Sequence, residues 1–249
     1  MVLSGVNENL KELKGVEDFI RKVGYAVVVR IIGRSRINQI ENNRFVFNPD
    51  ENFVGEFKGA YDWLLEFYRS KEKSKIGEFA DEEGSVYTFV TERVVGRLTL
   101  YIFGAGHVGQ AVALMGALLG YEIIVVDDRA EFLSRERLPD TRIKLITSEF
   151  DKVIDDLRFG YQTAAVIVTR GHQYDEMCLR KLLRLRMSYL GMIGSKRRVL
   201  SVFNKLKSEG FKAEEFARVH APIGLVIGAR SPQEIAVSIL GEIIAEVNK

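Results

Sequence analysis

The chain has 249 residues, of which 47% are hydrophobic, and its 36 Lys and Arg nearly balance its 34 Asp and Glu. This composition excludes a disordered chain, and the missing basic excess argues against nucleic-acid binding. The single cysteine, Cys178, excludes an internal disulfide, and no apolar run approaches the roughly 18 residues of a membrane span, so we expect a cytoplasmic protein that does not bind a membrane.

Residues 1–97 are predicted to form a small α+β domain. Apolar, β-branched runs indicate strands, and one segment has the amphipathic spacing of a helix. The predicted strands are residues 25–33, 43–48 and 85–95, the helix is residues 56–70, and residues 71–85 are expected to be a charged, turn-rich connector.

Residues 98–249 alternate short apolar runs with longer amphipathic ones, which predicts βαβ units. The apolar runs are continuous, as in strands buried on both faces of a parallel sheet. We therefore predict a Rossmann-like, doubly wound α/β domain. The strands are expected in TLYIFGAG, EIIVVDD, IKLITS, AAVIVTRG and YLGMIG, and the helices in VGQAVALMGALLG, YDEMCLRKLLRLR and SKRRVLSVFNKLKSEG.

A last helix is predicted from its start signals. Ser231 is a favourable N-cap, Pro232 suits the first turn, and Glu234 completes a capping box. The apolar periodicity that follows ends near Val247.

The segment GAGHVG has the spacing of a dinucleotide-binding turn. Gly104 permits the tight turn, Gly106 lets a phosphate approach the backbone, and Gly109 allows close packing of helix on strand. Asp127 and Asp128 end the next strand, where an acid can bind ribose hydroxyls. The alternative is a glycine turn that serves packing alone. The candidate ligand-binding residues here are Gly104, Ala105, Gly106, His107, Val108, Gly109, Asp127, Asp128 and Arg129.

The three histidines, His107, His172 and His220, all lie in junctions that contain glycine or proline. In a doubly wound sheet, such junctions line the crevice beyond the carboxyl ends of the strands. We expect the histidines to bond a ligand or to transfer protons. Hydrogen bonds to the local backbone are the alternative. Their spacing fits no compact zinc signature, so no metal site is predicted.

Between Met177 and Ser208 the chain contains nine Lys and Arg and no acid. Most of this charge is expected on a solvated helix face. The GMIGSKRR turn differs because its glycines directly precede a predicted helix start. Ser195, Lys196 and Arg197 would lie at that N-terminus, where backbone amides and cations together favour a phosphate or another anion, and Gly194, Ser195 and Lys196 are candidate binding residues.

No Ser–His–Asp signature, HExxH motif or Walker lysine loop occurs in the sequence, so no catalytic residue is assigned. Cys178 lies on a predicted amphipathic helix and is expected to be a buried structural thiol.

Taken together, GAGHVG, VVDDR, VIVTRGHQYDE, YLGMIGSKRR, ARVHAPIGLVIGA and SPQEIAVSILGEIIAE make residues 98–249 resemble the XdhC/CoxI family. Members are accessory proteins of molybdenum hydroxylases such as xanthine dehydrogenase and carbon monoxide dehydrogenase. The resemblance implies a maturation factor rather than a turnover enzyme. It would bind molybdenum cofactor (molybdopterin), assist its sulfuration with a cysteine desulfurase and insert it into an apo-enzyme, and it would form a homodimer.

The resemblance also implies which residues hold the cofactor. The glycine turn carries over onto Gly104–Gly109, and the GMIGS turn onto Gly191–Ser195. The TRGHxYD loop carries over onto Thr169, Arg170, Gly171, His172 and Asp175. The first half departs from the family, because GRSR (33–36) and GEFKG (55–59) lack the family's proline and cysteine.

Two other functions fit the same glycine turn. One is an NAD(P)-dependent oxidoreductase, in which the acids after the second strand would favour NAD and Arg129 would blunt that preference. The other is a nucleotide-sensing regulatory module, in which the turn binds a ligand without chemistry.

Overall fold

The computed structural model describes residues 25–34, 44–47, 76–80 and 86–248. The chain divides into two compact units, residues 1–96 and 97–249.

The first unit contains a four-stranded antiparallel sheet with the order β2-β1-β4-β3. Alternate residues of β1 and β4 are buried, for example Val27 and Val29, as in a sheet with one covered face. The strands are β1 (Tyr25–Arg34), β2 (Arg44–Phe47), β3 (Ile76–Ala80) and β4 (Val86–Val95).

The strands predicted at residues 25–33, 43–48 and 85–95 are confirmed. The connector predicted at residues 71–85 is wrong in part, because it contains β3, which pairs with β4 through its backbone. The charges on either side of IGEFA concealed its β pattern. The helix predicted at residues 56–70 and the GEFKG segment lie outside the described residues, and Gly33 and Arg34 belong to β1.

The second unit is built on six parallel strands, which confirms the doubly wound prediction. Their order, β7-β6-β5-β8-β9-β10, corresponds to the dinucleotide-binding order 3-2-1-4-5-6. The strands are β5 (Thr99–Phe103), β6 (Glu122–Asp127), β7 (Lys144–Thr147), β8 (Thr163–Ile167), β9 (Tyr189–Met192) and β10 (Val219–His220).

Helices cover both faces of this sheet and explain why its strands are apolar throughout. Leu100 and Ile102 of β5 belong to one core cluster with α1 and α6. Tyr101 and Phe103 belong to the opposite cluster with α2, α3 and α4. The helices are α1 (His107–Leu118), α2 (Phe150–Asp156), α3 (His172–Leu182), α4 (Lys196–Ser208), α5 (Ala213–Phe216) and α6 (Pro232–Val247).

The helix start predicted at Ser231 is confirmed. The Ser231 side chain accepts a hydrogen bond from the Glu234 amide, and the Glu234 carboxylate accepts one from the Ser231 amide. None of the helices in the described ranges is long and apolar enough to cross a membrane.

The direction in which successive strands are added to the sheet reverses between β5 and β8. β6 and β7 lie on one side of β5, and β8, β9 and β10 lie on its other side. In open α/β sheets, ligands bind in the crevice at such a switch point. The turn at residues 104–106 follows β5 and the loop at residues 168–171 follows β8, so the two motifs flank the crevice.

Candidate functional site

Two glycines of the turn after β5 meet steric requirements of the backbone. Gly104 has a φ of +116°, and a Cβ there would lie 2.4 Å from the carbonyl oxygen of Val168. A Cβ at Gly109 would lie 1.9 Å from the carbonyl oxygen of Gly104. Since both collisions involve backbone atoms, these positions need glycine for the turn and for the packing of α1 against it, as their spacing predicts.

Gly106 is under no such requirement. Its φ and ψ of −67° and −177° suit any residue, and a Cβ there would meet nothing within 4 Å. Gly106 is also the N-cap of α1, whose first turn has neither a side-chain cap nor an acidic residue. Open space therefore adjoins the positive end of a helix, where an anionic group can reach backbone amides.

The other residues of the turn divide between core and surface. Ala105 is buried, and Val108 packs against the core cluster of α1 and α6. His107, the first residue of α1, is exposed.

Asp127, at the end of β6, holds the glycine turn in place. Its Oδ2 accepts a hydrogen bond from the Ala105 amide at 2.8 Å, and both of its oxygens accept from the Arg129 guanidinium at 2.9 and 3.1 Å. Burial alone would raise the pKa of the Asp127 carboxyl, but the bonds from Arg129 and Ala105 outweigh it, and the pKa is lowered. Because the side chain is 1% exposed, its oxygens serve protein donors rather than the crevice.

Asp128 forms an ion pair with Arg170, and so joins the loop after β6 to the loop after β8. Two hydrogen bonds, of 2.9 and 2.7 Å, connect the guanidinium to the carboxylate. Arg170 also donates to the Tyr174 hydroxyl at 2.6 Å. The loops that carry this pair follow the strands on either side of β5 and the glycine turn.

The TRGHQYD loop and the GMIGSKRR turn meet at one carboxylate. Asp175 accepts hydrogen bonds from the hydroxyl and amide of Thr169 at 2.5 and 3.3 Å, and Arg198 of α4 donates to its other oxygen. Asp175 is fully buried. Burial raises the pKa of its carboxyl, although Thr169 and Arg198 act in the opposite direction. The Arg198 contact thus fixes α4 against the start of α3.

The remaining predicted residues of these two motifs lie close to that link. His172 begins α3 after Gly171, and Ser195 caps α4 by accepting a hydrogen bond from the Arg198 amide. His172 and Ser195 line one common cavity. A Cβ at Gly194 would lie 3.2 Å from Cδ of Arg198, and Lys196 is exposed at the first position of α4.

The structure does not gather the three histidines. His107 and His172 follow adjacent strands, β5 and β8, but His220 is on β10 at the far edge of the sheet. The His220 ring stacks on Tyr189 with 4.6 Å between centroids, and its Nδ1 lies 3.5 Å from Oε1 of Glu242. The prediction that His220 contacts a ligand stays a prediction.

Three further residues near the candidate site, Arg198, Lys205 and Glu242, were not predicted from the sequence. Helical spacing could have indicated the first two. Positions 198 and 205 are two helical turns apart and therefore lie on the same face of α4. No sequence pattern could have indicated Glu242, because its partners Tyr189 and Gly224 are far from it along the chain.

Comparisons with known proteins identify a family and relatives of this chain. The family model described as the XdhC Rossmann domain matches residues 100–243. An uncharacterized protein, YqeB, from Escherichia coli K12 is 35% identical over 169 residues, which are 68% of this chain and 31% of that protein. A probable xanthine dehydrogenase component from Bacillus subtilis is 28% identical over 206 residues, which are 83% of this chain and 58% of that protein. The chain therefore spans less than two thirds of either relative.

A solved structure shows the same fold. A crystal structure described as a xanthine dehydrogenase from Bacillus halodurans superimposes with a TM-score of 0.56, and the match covers 94% of this chain and 95% of that one. Its sequence is 15% identical to this one, so the likeness concerns the fold alone.

Proposed function

Because the chain belongs to the XdhC family, we propose that it is an accessory protein in the maturation of a molybdenum hydroxylase of the xanthine dehydrogenase type. In this proposal the chain binds molybdenum cofactor in the crevice at the glycine turn and delivers it to the apo-enzyme. The bound cofactor would supply the redox chemistry of the client enzyme, and this chain would bind, orient and release it.

The observation that carries the proposal is the open space at Gly106. Gly104 and Gly109 are explained by the backbone around them, but no steric contact requires glycine at position 106, the N-cap of α1. A phosphate group against this backbone would account for it, since only glycine leaves the first-turn amides of α1 fully accessible. Molybdopterin bears such a phosphate group.

The surroundings of the turn fit a phosphate-bearing ligand. The turn is held by Asp127, whose charge is balanced by Arg129. The neighbouring Asp128 is balanced by Arg170. Neither of these two carboxylates is therefore left unpaired to repel an anion near Gly106.

We propose a molybdenum hydroxylase as the partner because one relative, the Bacillus subtilis protein, carries the name probable xanthine dehydrogenase. A client of this class takes a molybdenum cofactor. A homodimer, and a cysteine desulfurase as second partner, remain part of the proposal, and a mass measurement in solution tests the first.

Any sulfuration must proceed without a thiol of this chain as sulfur carrier. Cys178 is the one cysteine in the sequence. It is fully buried, and burial raises the pKa of its thiol, so the nucleophilic thiolate is suppressed. In our proposal the desulfurase acts directly on cofactor that this chain holds accessible.

Delivery is tested with apo-xanthine dehydrogenase, a molybdopterin source and the purified chain. We expect hydroxylase activity to depend on the wild-type chain and to fall to the level without it for Gly106→Val, since a branched side chain occupies the space of the phosphate. Leu118→Val, at the exposed far end of the same helix, is the matched control and should behave as wild type. Equal hydroxylase activity with and without the chain would contradict the proposal.

A nucleotide ligand is the second candidate, favoured by the strand order of dinucleotide-binding domains. Against NAD, the acid at the end of β6 has its oxygens occupied by Ala105 and Arg129. Thermal-shift measurements with NAD, NADH and molybdopterin separate the two, and stabilisation by NAD alone would favour the nucleotide.

A further inference from the structure

A cavity of about 420 Å³ lies in the groove between α3 and α4. It runs from the start of α4 to its third turn and is therefore larger than the N-terminus of one helix. His172 and Glu176 line it from α3, and Ser195, Arg197, Ser201 and Lys205 line it from the α4 side.

The lining is dominated by cations and hydrogen-bond donors. It contains three cations, Arg197, Arg198 and Lys205, and one carboxylate, Glu176. Among the described residues, no partner is found for the Arg197 guanidinium or the Ser201 hydroxyl. Ser195 Oγ accepts a hydrogen bond from the Arg198 amide, so its O–H is left to donate. Converging donors without matching acceptors suit an oxyanion.

The single carboxylate does not oppose an anion. Lys205 and Arg180 contact the Glu176 carboxylate at 2.8 and 2.6 Å. Burial would raise the pKa of Glu176, but these two cations lower it, and the group stays ionised and paired. Arg180 in turn binds Glu209 at 2.7 Å. The cavity and its immediate neighbours therefore contain four cations and three carboxylates. The cations are Arg180, Arg197, Arg198 and Lys205, and the carboxylates are Asp175, Glu176 and Glu209. Arg197 is the cation that has no carboxylate partner among them.

Not every donor of the Arg198 guanidinium has a hydrogen-bond partner among the described residues. Its Nη2 donates to Asp175, while its Nε is buried and makes no hydrogen bond among the described residues. Arg198 lines the cavity and therefore adds positive charge to its wall, beside the more exposed Arg197.

We propose that this cavity is a second anion subsite, which binds a phosphate group between Arg197, Arg198, Ser195 and Ser201. A phosphate group has a size and charge that a cavity of this volume and lining accommodates. The subsite is distinct from the space at Gly106 and does not depend on the proposed function.

The subsite adjoins the crevice through two contacts. Arg198 binds Asp175, which binds Thr169. The Cα of Thr169 would lie 2.9 Å from a Cβ at Gly104. The phosphate group is either part of a larger ligand that also reaches the crevice or free inorganic phosphate.

Titration calorimetry of the full chain with inorganic phosphate at low ionic strength tests the subsite. Arg197→Gln removes the unpaired cation and should weaken phosphate binding about tenfold, the loss expected for one charge-assisted hydrogen bond. Lys207→Gln removes one charge from the same helix outside the cavity and should leave the affinity unchanged. Thermal unfolding checks that both variants are folded, which we expect because Arg197 is exposed.

A second titration with ADP identifies the source of the phosphate group. If Gly106→Val and Arg197→Gln both weaken ADP binding, one ligand spans the turn and the cavity. If Arg197→Gln weakens phosphate binding alone, the subsite takes free phosphate. Undetectable phosphate binding, or the same phosphate affinity in wild type and Arg197→Gln, would overturn the proposal.

Discussion

At the scale of single residues, the glycines of one motif have separate physical roles. Gly104 and Gly109 are required by backbone atoms less than 2.5 Å from a Cβ, whereas the space over Gly106 is open. Sequence spacing predicts the turn, but the space around each glycine depends on how α1 and the loop after β8 approach it.

A pair of alanine substitutions separates these roles. Gly109→Ala forces the Gly104 carbonyl to move and should lower the free energy of unfolding by about 3 kcal/mol. Gly106→Ala should lower it by only about 0.5–1 kcal/mol, since the Cβ contacts nothing and only the preference for glycine at the N-cap is lost. Urea unfolding of both variants measures the difference, and equal destabilisation would contradict the assignment.

The Asp127 carboxylate gives a pH-dependent prediction. Its pKa in the folded protein is below the ordinary 3.8, so the ionised carboxylate stabilises the fold above pH ~4 and loses that effect as the pH falls through the lowered pKa. Asp127→Asn should therefore be less stable than wild type by about 2 kcal/mol at pH ~7.

The difference should shrink below pH ~4, where the unfolded wild-type chain takes up a proton that the folded protein binds only at lower pH. Urea unfolding across the range from neutral pH to about pH 3 measures it. A difference that is constant over this range would show that the charge of Asp127 has no part in the stability.

At the scale of elements, the C-terminal half could be predicted from sequence because its strands are buried on both faces and therefore continuously apolar. The short elements α2, α5 and β10 lacked enough residues to show a period. β3 was not predicted because it is short and has charged residues on either side of it.

The candidate site could be predicted less completely for a related reason. The glycine turn and the helix caps are local, and their residues are close in sequence. The contacts of Arg198 with Asp175 and of Glu242 with Tyr189 join residues 23 and 53 positions apart. Such pairs depend on how packed helices align, which residue patterns do not specify.

Glu242 links α6 to the sheet, and its removal should expose that role. Its Oε2 accepts hydrogen bonds from the Tyr189 hydroxyl at 2.5 Å and the Gly224 amide at 2.8 Å. Glu242→Ala leaves both donors unpaired and should cost about 2–4 kcal/mol.

Because Tyr189→Phe removes one of those donors, the double variant should be less destabilised than the sum of the single variants. Chemical unfolding of the four proteins of this cycle measures the coupling. Strict additivity would mean that the Tyr189–Glu242 hydrogen bond contributes nothing.

At the scale of the whole molecule, the second unit is a parallel sheet of the dinucleotide-binding type. Its candidate binding groups lie in the loops beyond the carboxyl ends of the strands. The glycine turn, the Asp128–Arg170 pair and the cavity between α3 and α4 all follow the carboxyl ends of parallel strands. We propose that these loops bind an anion. The described residues provide no exposed thiol, because the one cysteine is buried. A protein of this kind suits holding and passing on a phosphate-bearing cofactor.

The most direct measurement of that claim is the pterin content of the chain purified from a molybdenum-replete host. Small molecules are released by denaturation and measured by mass spectrometry, for wild type, Gly106→Val and the control Leu118→Val. Our account predicts about one molybdopterin per wild-type or Leu118→Val chain, and none for a folded Gly106→Val variant. A wild-type chain without pterin, or a Gly106→Val chain that retains it, would contradict the account.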